Sequence, residues 1–185
     1  GIDFAFAFVM LRILGPADAG IYYYAIVVFV WFDIFTNFGL DVWLIREASR
    51  QRDQAGYFFL NTSALRLLLM LVGVPLVIGF VLVRQSVIYP PLAQTALLAL
   101  GLLYMGLVPG SISKGMTSLF YAFEKAEYPA AVATITTINK AVFGVLALLL
   151  GYGIVGLAAV SILTNFITLA ILVWTGRALI GRLRL

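Results

Sequence analysis

Apolar residues in this chain fall in long blocks, separated by short segments that are polar or rich in Gly and Pro. The blocks predict helices at about 1–14, 20–44, 56–83, 92–123, 130–150 and 155–174. Most are near the roughly 20 residues that a helix needs to cross a bilayer. The first block, Gly1 to Leu14, is too short, and it begins inside an apolar run. It is expected to be the end of a helix whose beginning is missing, so the chain is expected to be a fragment. Leu14-Gly15-Pro16 should break that helix, with Ala17 to Gly20 completing a turn. Further breaks are expected at Arg46 to Gln54, at Tyr89-Pro90-Pro91, at Glu124 to Pro129 and at Gly151-Tyr152-Gly153. Pro75 is expected to kink its helix without ending it. Pro109-Gly110 should kink or partly unwind the long fourth helix. No strand alternation of the kind a β-barrel needs is present. The expected fold is all-α and integral to the membrane, a single bundle of six transmembrane helices over residues 1–185.

Composition agrees with this pattern. The chain is 63% hydrophobic and 11% charged, with mean hydropathy +1.08, whereas soluble domains carry roughly 25% charged residues. The net charge of +4 does not argue for nucleic acid, because the basic residues border apolar runs and read as topology signals. Arg46, Arg50, Arg52, Lys125, Arg177, Arg182 and Arg184 fall on one set of alternate connections, and only Arg12 and Arg84 on the other. That imbalance predicts a multi-pass protein with its basic loops in the cytoplasm. The absence of Cys and His excludes disulfides and zinc or haem ligation through those residues. No Walker loop is present, and no cofactor is expected.

The polar residues inside the blocks carry the functional signal. Asp33, Asn37 and Asp41 are spaced by four and should share one face of the second helix. Arg66, Lys114 and Lys140 lie within later helices. At ~1.5 Å per residue, Arg66 and Lys140 stand on the order of 15 Å from their cytoplasmic ends. A central Arg or Lys costs ~2.5 to 3.5 kcal/mol each on insertion scales. The three cations are therefore expected to share a wet space with Asp33, Asn37 and Asn165. Asp33, Arg66, Lys114 and Lys140 sum to +2, which favours anions, phosphates among them. Plainer readings stay open: Asp33 paired with Arg66 as helix glue, and Lys114 reaching for the cytoplasmic interface. The aromatic run Tyr22-Tyr23-Tyr24 reads as an interfacial belt. Asp33 and Asp41 do not make a case for a paired-carboxylate catalytic site, and an enzyme is not expected.

Arg12-Ile13-Leu14-Gly15-Pro16 followed by Gly20-Ile21-Tyr22 resembles the polysaccharide and O-antigen flippases of the multidrug/oligosaccharidyl-lipid/polysaccharide exporter superfamily. The resemblance continues in Asn37-Phe38-Gly39-Leu40, in Ile45-Arg46-Glu47, and in Phe120 to Pro129. It returns in Leu150 to Leu157 and spans nearly the whole chain. Members often have Asp where this chain has Asn37; Asp33 stands one turn earlier.

The resemblance implies a protein of 12 to 14 helices in two six-helix lobes around a cavity, with this chain as the first lobe. It implies alternating access that moves an undecaprenyl-diphosphate-linked oligosaccharide across the cytoplasmic membrane. Arg66, Lys114 and Lys140 would then meet diphosphate or acidic sugars, and Arg12 would serve an outer mouth or gate. Expected partners are the lipid-linked glycan, membrane lipids, the missing second lobe and a glycan polymerase. Two alternatives are a multidrug or cation antiporter of the same superfamily and a membrane-embedded glycan polymerase or glycosyltransferase. The antiporter would want more acidic cavity residues. The enzyme would want a larger extramembrane loop than the short connections here.

Overall fold

The computed structural model describes residues 1–87 and 91–180. The turn at Tyr89-Pro90 and the basic tail residues Arg182 and Arg184 lie outside the described residues. The order is α1 (Ile2–Asn37), α2 (Leu40–Arg50), a 3-10 turn (Arg52–Gln54), α3 (Ala55–Val87), α4 (Gln94–Met105), α5 (Leu107–Ala122), α6 (Glu127–Leu149) and α7 (Gly153–Ile180). Among the described residues, five helical stretches are long and apolar enough to cross a membrane: Ile2–Arg50, Arg52–Val87, Gln94–Ala122, Glu127–Leu149 and Gly153–Arg177.

The expected first helix is an arm of α1. The expected turn over Ala17 to Gly20 is instead one residue, Gly15, whose φ of 78° and ψ of 168° interrupt the helix. Glycine tolerates that backbone because it has no Cβ. Pro16 can begin the next arm because the first turn of a helix does not use its N–H. The two arms fold back on one another. Phe6 and Phe29 would be about 35 Å apart on a continuous helix. Yet Phe6 fills the notch at Gly144, while Phe29 shares a cavity wall with Thr136. Thr136 and Gly144 are only about 12 Å apart along α6.

Two further breaks differ from expectation. The polar stripe does not lie on one helix face, because α1 ends at Asn37 and Gly39 adopts the left-handed conformation (φ 74°). Asp33 and Asn37 belong to α1, and Asp41 begins α2. The supposed polar connection from Arg46 is helical to Arg50, with Leu44 and Ala48 buried. The second difference is at Gly106, where α4 gives way to α5 three residues before the expected Pro109. The reason is that proline removes the hydrogen bond to the carbonyl four residues earlier, here Met105, so the damage falls upstream.

Pro75 leaves α3 continuous. The Tyr104 hydroxyl donates to the Met70 carbonyl at 2.5 Å nearby.

α5 and α6 end alike. Lys125 N–H donates to Phe120 O and Glu124 N–H to Tyr121 O; Tyr152 N–H donates to Ala147 O and Gly151 N–H to Leu148 O. These are Schellman ends, which place one residue at positive φ. That residue is Glu124 (φ 60°) after α5 and Gly151 (φ 81°) after α6.

Two apolar clusters form the core. One gathers Met10, Tyr22, Leu103, Leu148 and Leu157; the other gathers Leu44, Met116, Phe120, Val132 and Leu172. The polar residues lie between them. On α6, Lys140 stands between Val132 and Leu148, and on α7 Asn165 stands between Leu157 and Leu172. Outward-facing Leu68, Leu71, Leu82 and Trp174 are exposed, as suits a surface solvated by lipid tails.

Candidate functional site: a polar cleft between four helices

α6 packs mainly on α7 and α1, while α5 packs on α7, α2 and α3. α5 and α6 therefore scarcely meet, and a cleft stays open between them. It contains a cavity of about 530 Å³ bordered by Asp33, Lys114, Thr117, Thr136, Asn165 and Thr168. A second chamber of about 250 Å³ continues from it past Gly106, Thr136 and Asn165. This chamber is bordered by Tyr22, Lys140, Ser161 and Thr164. Tyr22 is thus buried and is not part of an interfacial belt.

The local chemistry explains how the walls are held. Asn165 Nδ2 donates to the Gly106 carbonyl at 3.0 Å, tying α7 to the break between α4 and α5. That carbonyl also accepts the Gly110 N–H at 3.2 Å, so the Asn165 side chain gives it a second donor, as a carbonyl's two lone pairs allow. The Thr136 and Thr168 hydroxyls bond at 2.7 Å and join α6 to α7 without charge.

The charged residues divide into two groups. Lys114 Nζ donates to Asp33 Oδ2 at 2.5 Å. Asn37 Nδ2 donates to Asp33 Oδ1 and to the Asp33 carbonyl, both at 2.9 Å. Lys114 therefore does not reach away toward the interface. Asp33 does not pair with Arg66 either. Arg66 Nη2 lies 2.6 Å from Asp41 Oδ1, and Nη1 donates to the Ser111 carbonyl at 2.7 Å. Ser118 Oγ also donates to Asp41 Oδ1, at 3.2 Å. The break at Gly39 separates Asp41 from Asp33, leaving Asp41 for Arg66 and Asp33 for Lys114.

Lys114, Lys140, Asp33 and Asn165 line the cleft. Asn37 borders an adjoining cavity of about 460 Å³ beside the break at Gly39. Arg66 does not share the wet space. Its residue is fully buried, enclosed by α2, α3 and α5, with both terminal nitrogens bonded within protein and Nε buried without a hydrogen-bond partner. Arg12 is exposed on the first arm of α1 and lines none of these cavities. Lys140 is half-buried and has no hydrogen bond or ion pair among the described residues. Sequence reasoning did not find Thr164 or the pairing of Asp41 with Arg66. The spacing of Ser111 and Ser118, two turns apart on α5, was the available hint of the latter.

One side of the bundle gathers basic connections. Arg52, after α2, meets Glu124 beyond α5 at 3.1 Å and lies over the Phe123 ring. No group of His, Cys, Asp or Glu suited to a metal ion occurs among the described residues. No curated protein and no solved structure matches the chain. The family described as polysaccharide biosynthesis protein matches residues 1–183. With its five membrane-capable stretches and a polar cleft between them, this chain belongs to the polysaccharide biosynthesis protein family, multi-pass membrane proteins of the transporter and flippase kind.

Proposed function

We propose that the chain serves translocation of an undecaprenyl-diphosphate-linked oligosaccharide from the inner to the outer leaflet of the cytoplasmic membrane. It does so as one six-crossing lobe, closing its open cleft against a second lobe and working by alternating access. The basic connections around Arg46, Arg52 and Lys125 face the cytoplasm, following the positive-inside rule.

The observation that carries this reading is Lys140. An ammonium at mid-membrane without a counter-charge is costly, and its chamber offers it hydroxyls and an amide rather than a carboxylate. An anionic group that enters would supply the missing charge. The diphosphate of a lipid carrier fits that need, since phosphate oxygens accept strong charge-assisted hydrogen bonds. A cation antiporter is less well supported, because Asp33 and Asp41 are already engaged by Lys114 and Arg66.

The test is Lys140→Glu in the full-length protein, in cells whose glycan export depends on it. Export should fall by at least about tenfold, a loss of the size that reversing one buried charge implies, with the protein still in the membrane at normal amount. Unchanged export would remove the reading.

A further inference from the structure

The Asp33–Lys114 pair stands where two cavities meet. The cleft of about 530 Å³ and the cavity of about 460 Å³ beside Gly39 share two lining residues, and these are Asp33 and Lys114. Their side chains remain 22% and 42% exposed, so the contact is open to an entering ligand. The geometry points to an exchangeable partition: Asp33 occupies Lys114 when the cleft is empty, and an anionic diphosphate displaces it, joining the two cavities. The inference rests on the proposed function for its ligand.

Three observations support the exchange. A lysine ammonium is a compact charge with three donors on a flexible stem, able to swing between acceptors. A diphosphate has more charge and more oxygen acceptors than one carboxylate, so it competes well for that ammonium. Asp33 is not abandoned when Lys114 leaves, because Asn37 Nδ2 already donates to its Oδ1. Asn37 itself is 7% exposed, and its Oδ1 has no partner. Its amide holds the carboxylate in either state.

The neighbouring pair behaves differently. Arg66 is fully buried and anchored to Ser111 O, so Asp41 cannot be displaced in the same way. Ser118 lies one turn beyond Lys114 on α5, and its hydroxyl reaches both the Lys114 carbonyl and Asp41. The partition thus moves against a fixed neighbour.

The experiment uses the full-length protein in nanodiscs, with undecaprenyl diphosphate and inorganic pyrophosphate as separate probes. Asp33→Asn removes the internal competitor and should tighten diphosphate binding about fivefold, the worth of a partly exposed ion pair, while glycan export falls. The exchange Asp33→Lys/Lys114→Asp keeps a pair but moves the cation to α1; it should retain thermal stability and lose both binding and export. A third readout covers poor folding of either variant. Ser113→Cys, a near-isosteric change beside Lys114 in the wall of the cleft, in a background free of other cysteines, should react faster with a thiol reagent once diphosphate is added, because the partition opens. Unchanged or weaker binding by Asp33→Asn, full export from the exchanged pair, or labelling indifferent to diphosphate would each overturn the partition. Tighter pyrophosphate binding by Asp33→Asn, with undecaprenyl diphosphate bound by neither form, would support the exchange and overturn the lipid-linked substrate.

Discussion

Arg66 fastens α3 to Asp41, the second residue of α2, at 2.6 Å. Its other terminal nitrogen holds the Ser111 carbonyl of α5, so one guanidinium joins three helices. Arg66→Ala should destabilise the protein by about 3 kcal/mol, because it leaves Asp41 without its cation. Arg66→Lys should recover only part of this, since one ammonium cannot reproduce the planar fork. Unfolding in detergent micelles checks both, and an equal stability of wild type and Arg66→Ala would refute the strut.

The two Schellman ends make opposite predictions. Glu124 holds a positive φ that costs a residue with Cβ roughly 1–2 kcal/mol, and its exposed pair with Arg52 returns little. Glu124→Gly should therefore stabilise by about 0.5 kcal/mol after the extra chain entropy of glycine. Gly151→Ala, at φ 81° with open space around it, should destabilise by about 1 kcal/mol from backbone strain alone. Melting temperatures of the two variants should move in opposite directions.

Phe6 fits against α6 because position 144 has no side chain; a Cβ there would collide with its ring. Gly144→Val should cost about 1–3 kcal/mol through overpacking, and Gly144→Val/Phe6→Ala should recover part of that loss. A double variant no better than the single one would mean the first arm does not rest on α6.

Thr136→Val removes the hydroxyl bond to Thr168 while keeping shape. The expected cost is about 0.6 kcal/mol, typical of side-chain bonds between helices in lipid. Asn165→Leu should cost a similar amount, about 0.6 kcal/mol, because the Gly106 carbonyl at the α4/α5 break loses one donor but keeps the Gly110 N–H. Chemical unfolding of the two variants side by side measures both costs.

Local chemistry was legible in the sequence, and partners were not. Gly15-Pro16 and Gly151 announce helix ends through residues that only such positions favour. Glu124 performs the same task as Gly151 with no signal in its residue type. The long apolar blocks show that helices exist and span, but a helix apolar nearly all round, such as α4, has no periodicity to reveal which side meets α7. Lys114, Lys140 and Asn165 stood out because polar residues in lipid are rare. Arg66 stood out for the same reason, yet it serves as a strut. Its role depended on a break at Gly39 that turned Asp41 away from Asp33, and i,i+4 spacing assumes no such break.

The fold-back at Gly15 has a consequence for biosynthesis. Phe6 finds its slot only when Gly144 has been made, about 140 residues later. At ~5–20 residues per second that delay is on the order of ten seconds, during which the first arm waits in the bilayer. Lipid tails are as apolar as the missing contact, so the unpacked face is no hazard there, as it would be in water. α6 therefore completes the packing of a helical arm made well before it.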